Sequence, residues 1–128
     1  HPNARFLYVG NRGLGLVEFK GRRVLGGGEN SIAVYSIDTE TGEPSLIQHA
    51  DTRGVHPRTF SIDPSGRMLV LANMQQVLAR DGDDVRPLPA NLSAFRIRAD
   101  GKLEFVKKYD HDTTGGRGLF WTGMVELP

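Results

Sequence analysis

Arg12, His56 and Arg58 are the side chains whose types and positions best suit chemistry on a small anion. Arg12 directly follows an apolar segment, Arg5–Asn11, and opens a glycine-rich stretch. Its planar guanidinium binds carboxylate or phosphate bidentately, although an arginine heading a loop is equally well a solvated residue. In Gly54-Val55-His56-Pro57-Arg58 an imidazole and a guanidinium stand two residues apart, a spacing able to hold an anion. A histidine before proline is also a common turn residue, and Arg58 is equally able to pair with a neighbouring element. Asn73 and Asn11 end matching apolar segments, where an amide side chain either caps a turn or donates to a ligand. Asn73 is kept as a binding candidate, while its recurrence in a second copy favours architecture. Trp121 is expected to pack between layers.

Other chemistries drop out. Cysteine is absent, which excludes disulfides, thiol nucleophiles and Cys-ligated zinc. No Gly-x-Ser-x-Gly elbow occurs, and Gly26-Gly27-Gly28 lacks the Gly-Lys-Ser/Thr ending of a phosphate loop. The histidines at 1, 49, 56 and 111 have no metal-ligand spacing, and the short acidic clusters Asp81–Asp84 and Asp110–Asp112 read as solvated turns. No cofactor and no metal is expected. Sixteen Lys+Arg against fifteen Asp+Glu, scattered along the chain, imply neither a nucleic-acid nor a membrane-surface partner. No apolar run approaches the roughly 18 residues of a membrane span, no signal peptide is visible, and a cytoplasmic location is expected.

The elements that must position these residues are short strands, and they come twice. The stretch from His1 to Asn11 returns 62 residues later as Asp63–Asn73, Ser31–Ile37 returns as Asn91–Ile97, and Gly42–Ile47 returns as Gly101–Val106. Enrichment in β-branched and aromatic residues between turn residues predicts strands over Arg5–Asn11, Ser31–Asp38, Ser45–His49, Arg58–Ile62, Met68–Asn73, Leu92–Arg98, Leu103–Tyr109 and Leu119–Val125. Turns are expected at Asp63-Pro64-Ser65-Gly66, Thr41-Gly42 and Asp100-Gly101. No helical period is present.

Two stretches, Arg12–Glu29 and Gln75–Pro89, follow the same strand of each unit and read as long structureless loops on one rim. A repeat of short strands implies an all-β fold, a β-propeller of four-stranded antiparallel blades. Residues 1–53 would form an incomplete blade lacking its inner strand, 54–112 a complete blade, and 113–128 the inner strand of the next. Two such units cannot close a ring of about 4–8 blades, so the chain is expected to be the carboxy-terminal part of a longer protein.

The motifs His1-Pro2-Asn3…Arg5-Phe6-Leu7-Tyr8-Val9…Asn11-Arg12-Gly13, Asn30–Tyr35, and His56-Pro57-Arg58 through Asp63-Pro64-Ser65-Gly66-Arg67 to Ala72-Asn73 resemble the lactonase family of seven-bladed propellers. That family includes 6-phosphogluconolactonases and 3-carboxymuconate cyclases. The resemblance covers the chain except the two insertions and implies an enzyme acting on a small anionic lactone or carboxylate, by hydrolysis or by cycloisomerisation. Arg12 matches an Asn-Arg pair that supplies an active-site arginine in the cyclases, and the relatives' acid and base lie in blades outside this chain. A non-catalytic propeller that binds a partner through its rim is the rival reading. The expected partners are the small anion and the remaining blades or a second copy.

Overall fold

The computed structural model describes residues 1–127. Eleven strands form: β1 (Phe6–Arg12), β2 (Gly15–Phe19), β3 (Arg22–Gly27), β4 (Asn30–Ile37), β5 (Pro44–Asp51), β6 (Pro57–Ile62), β7 (Met68–Asn73), β8 (Val77–Asp81), β9 (Asp84–Leu88), β10 (Ala90–Ile97) and β11 (Leu103–His111). They make three sheets, ordered β1-β4-β5, β6-β7-β10-β11 and β2-β3-β8-β9. The first two are antiparallel throughout and have the strand order of propeller blades. Among the described residues no helix is long and apolar enough to cross a membrane.

The core lies between these two sheets, because each has one apolar face and needs the other to cover it. Tyr8, Ile32, Val34 and Ala50 from the first meet Leu69, Leu71, Phe95, Ile97 and Leu103 from the second. Polar ties fix the register between the sheets. Tyr8 donates its hydroxyl to the Gly101 carbonyl at 2.8 Å, and burial followed by the charge of Asp100 pushes its pKa up to about 12. Gln48 donates to the Leu103 carbonyl at 3.0 Å and accepts from the Leu103 amide at 2.7 Å, so one side chain serves as a strand neighbour across the gap. The repeat extends to irregularities. The β4/β5 ladder shifts register between Val34 and Tyr35, and the β10/β11 ladder shifts at the matching Ala94 and Phe95.

The two insertions are not loops. Each is a tight hairpin, β2–β3 and β8–β9, and the two join through a parallel bridge of Leu25 with Ala79. Lys20 and Gly21 sit at φ 50° and 72°, the two left-handed residues of a two-residue hairpin loop, and Gly82 at φ 63° opens the other. Val24 is buried, the Arg80 guanidinium lies 4.5 Å from the centre of the Phe19 ring, and Lys20 donates to the Asp83 carbonyl. The composition misled because glycine and charge suggest loops, whereas the pairing of two insertions some sixty residues apart is a tertiary fact.

Residues 119–125 form no strand. Their amides reach side chains instead: Thr122 donates to Thr59 Oγ1 at 3.4 Å and Met124 to Ser61 Oγ at 3.2 Å, while Leu119 donates to the Met74 carbonyl at 2.8 Å. The segment therefore runs beside β6 without a ladder. Trp121 is 79% exposed and does not pack between sheets, which corrects that expectation.

Candidate functional site

β1 and β6 come together where Gly10 faces the Pro57 carbonyl; a Cβ on Gly10 would stand 3.4 Å from that oxygen. This approach brings Arg12, the last residue of β1, to the linker that carries His56 and to Arg58 near the start of β6. Beyond Arg12 the chain turns at Gly13, whose amide donates to the Glu29 carbonyl at 2.7 Å. Gly13 lies against Gly28, and a Cβ on either would stand within 2.7 Å of the other's backbone, so the crossing requires both glycines.

Asn30, the first residue of β4 and the ladder partner of Arg12, holds this crossing. Its Nδ2 donates to the Gly13 and Gly28 carbonyls at 2.9 and 3.2 Å, and its Oδ1 accepts from the His56 amide at 2.7 Å. Its own carbonyl accepts from the Thr52 hydroxyl at 3.0 Å.

His56 is in a left-handed conformation at φ 60°, which is costly for a residue with a Cβ and more so before proline. Such strain, about 1–3 kcal/mol, persists only where the surroundings over-determine it. Here the Asn30 side chain fixes the His56 amide, and the Met74 amide donates to the His56 carbonyl at 3.1 Å. The ring nitrogen Nδ1 is buried and has no hydrogen-bond partner among the described residues. Burial, then the charges of Arg12 and Arg58, lowers the imidazole pKa below its ordinary value. His56 is consequently neutral at pH 7. Neither Arg12 nor Arg58 forms a salt bridge among the described residues, and the Arg58 guanidinium stacks 5.5 Å from the centre of the Phe120 ring. The two guanidiniums, without an ion-pair partner among the described residues, form an electropositive patch suited to an anion.

Asn73 stands apart from this group. It is fully buried, and its Nδ2 donates to the Thr52 carbonyl and to Asn91 Oδ1, both at 2.9 Å. Ser93 donates to the same two acceptors at the same distance. A Cβ on Gly54 would stand 2.5 Å from Asn73 Nδ2, so glycine is required to let the linker in. The Asn73 amide thus clamps the linker between β5 and β6 rather than facing solvent. The structure brings Arg12, His56 and Arg58 together and puts Asn73 into the framework behind them.

Asn30, Thr52, Asn91 and Ser93 were missed. One available signal was a second repeat, Asp51-Thr52-Arg53-Gly54 echoed by Asp112-Thr113-Thr114-Gly115, in which the first Asp accepts from the amide two residues on at 2.8 and 2.9 Å. A groove of about 390 Å³, lined by Asp63, Arg67, Met68 and Ile97 among others, lies at the opposite ends of β6 and β7. Among the described residues no cluster of His, Cys, Asp or Glu could hold a metal ion.

The family described as "Lactonase, 7-bladed beta-propeller" matches residues 1–81. A 6-phosphogluconolactonase of Formosa agariphila is 42% identical over 72 residues, which is 56% of this chain and 17% of that protein. A 6-phosphogluconolactonase of Bacillus subtilis is 32% identical over 71 residues, 56% of this chain and 16% of that protein. The matched stretch spans about a sixth of the length of these relatives. No solved structure matches the chain significantly.

Proposed function

Because the chain belongs to the lactonase family of seven-bladed β-propellers, we propose that it supplies the anion-holding part of a lactone-hydrolysing site in a propeller of the relatives' length. The observation that carries this reading is the convergence of Arg12, His56 and Arg58, with no carboxylate paired to either guanidinium among the described residues. A substrate such as 6-phosphogluconolactone presents a phosphate for Arg12 and Arg58.

Hydrolysis requires a water oxygen to add to the ring carbonyl carbon, the acyl–oxygen bond to break, and the released ring oxygen to take a proton. Fixing the anion sets the position of that carbonyl, which is how remote binding contributes to rate. The proton transfers are assigned to groups in other blades of the ring.

A protein of the relatives' length that contains this chain tests the reading. It is expected to hydrolyse 6-phosphogluconolactone, and Arg12→Ala is expected to lower kcat/KM by about 100-fold, the loss that misplacing a substrate brings. Turnover of 3-carboxymuconate instead would place the protein with the cycloisomerases. Activity on neither would favour a binding scaffold, the reading supported by the hairpin sheet β2-β3-β8-β9, whose strands β2 and β9 are unpaired at its two edges.

A further inference from the structure

We propose that Asn30 is the positioning residue of this site, the single side chain that sets His56 and Arg12 in register with one another; the inference rests on the anion-holding reading above. Three observations support it. Asn30 is the ladder partner of Arg12, its Oδ1 fixes the strained His56 amide, and its Nδ2 ties the Gly13–Gly28 crossing through which the chain leaves Arg12. No other side chain hydrogen-bonds to both the His56 backbone and the segment after Arg12 among the described residues.

The repeat gives an independent argument. Asn30 occupies the position that Ala90 occupies sixty residues later, immediately before the matching Ser31 and Asn91. Both residues open a strand, β4 and β10; Asn30 pairs with Arg12 of β1, whereas Ala90 pairs with His111 of β11 and the β10/β7 ladder starts one residue later, at Asn91 and Asn73. Ala90 is fully buried, so the strand forms and packs without a polar side chain there. A polar side chain at this position is therefore not needed for the strand to begin or to pack. It is present only in the unit that carries Arg12, whose own repeat counterpart is Met74. Without Asn30 the His56 amide loses its acceptor, the left-handed turn before Pro57 loses its support, and the imidazole nitrogen moves away from the guanidiniums. Arg12 from β1 and Arg58 from β6 are the charged groups that act on His56, so the ring's titration reports that movement.

The test uses a protein of the relatives' length that contains this chain, with three readings by NMR: hydrogen exchange of the His56 amide, titration of the His56 imidazole, and affinity for 6-phosphogluconate. In Asn30→Ala the His56 amide is expected to exchange at least about tenfold faster, since its acceptor is gone. The imidazole should titrate closer to its ordinary value, and affinity should fall about tenfold, the effect of one lost charge-assisted contact. Asn30→Asp keeps an acceptor for the His56 amide but loses both donors to the crossing, so amide protection should persist while affinity still falls. Asn30→Ala that folds with all three readings unchanged overturns the proposal. Where Asn30→Ala does not fold, Asn30→Asp with a rapidly exchanging His56 amide overturns it. A wild-type protein of the relatives' length that does not bind 6-phosphogluconate defeats the anion-holding reading instead, and the exchange and titration of His56 still decide the role of Asn30.

Discussion

The ends of β1 and β7 are equivalent in the repeat and do different work. At the end of β7, Asn73 is sealed in with Asn91 and Ser93 and clamps the carbonyl of Thr52. At the end of β1, Asn11 is only partly covered and donates to Ser31 at 3.0 Å and to Glu29 at 3.3 Å. Glu29 also accepts from Ser31 at 2.6 Å and pairs with His49; the Ser31 bond first, then His49, holds its carboxyl below the usual carboxylate range. Thus a side-chain carboxylate in one unit takes the acceptor place that a linker carbonyl takes in the other. Where the two units agree, in the Asn, the register shift and the core strands, the residues build the blade. Where they part, at Arg12 against Met74 and Asn30 against Ala90, the residues face the candidate site.

The shared framework is the part whose disruption costs most. Phe95, fully buried between the sheets, should lose about 3–5 kcal/mol of stability on Phe95→Ala, measured by urea unfolding. A loss below about 1 kcal/mol would mean that the two sheets do not share one core. The equivalent asparagines separate the two units directly. Asn73→Ala should cost about 1–3 kcal/mol by stranding buried polar partners, whereas Asn11→Ala, at a partly covered position, should cost less than about 1 kcal/mol. Equal costs would erase the distinction drawn between the two strand ends.

Smaller effects belong to the site. Arg12→Ala should weaken 6-phosphogluconate binding by about tenfold while leaving the urea midpoint nearly unchanged, since Arg12 is exposed and makes no salt bridge among the described residues. A large shift in the midpoint would assign Arg12 to the framework. The smallest effect is the pH dependence. The folded-state pKa of His56 is lowered, so its contribution to stability is present above the ordinary imidazole pKa and is lost as pH falls through that range toward the folded value. An anion favours the protonated ring, so affinity should rise a few-fold as pH falls through the same window, and the anion should in turn raise the His56 pKa. Affinity that does not change with pH would separate His56 from the bound anion.

Much of the fold was legible because blade strands are local. β7 was read to the residue, since the Asp63–Gly66 turn and the apolar run Met68–Ala72 mark it without reference to the rest of the chain. The other blade strands were found with ends displaced by up to two residues, some because pairing extends a ladder beyond the apolar run, as at Asp51 and His111, and others because it stops short, as before Asp38 and Arg98. The hairpins β2–β3 and β8–β9 were missed, although Lys20-Gly21 and Gly82 are turn signals, because glycine and charge dominate their composition. Leu119–Val125 has the composition of a strand, but a ladder also needs a partner edge. In the site, the resemblance to relatives pointed to Arg12, and the local motif pointed to His56 and Arg58. Asn30 was missed because its role depends on carbonyls of Gly13 and Gly28 and an amide at His56, which only folding brings within reach.

The repeat, the blade strands, the tight turns and the residue types able to hold an anion are all legible along the chain, because periodicity and turn chemistry act over a few neighbouring residues. Only the folded chain settles that two distant insertions form one sheet, that Asn73 is buried while Asn11 is not, and that His56 is held in a strained conformation within reach of the charges of Arg12 and Arg58. Those outcomes depend on which backbone groups meet across the sheets, and hydrogen bonds and desolvation are set by that meeting rather than by the residue type.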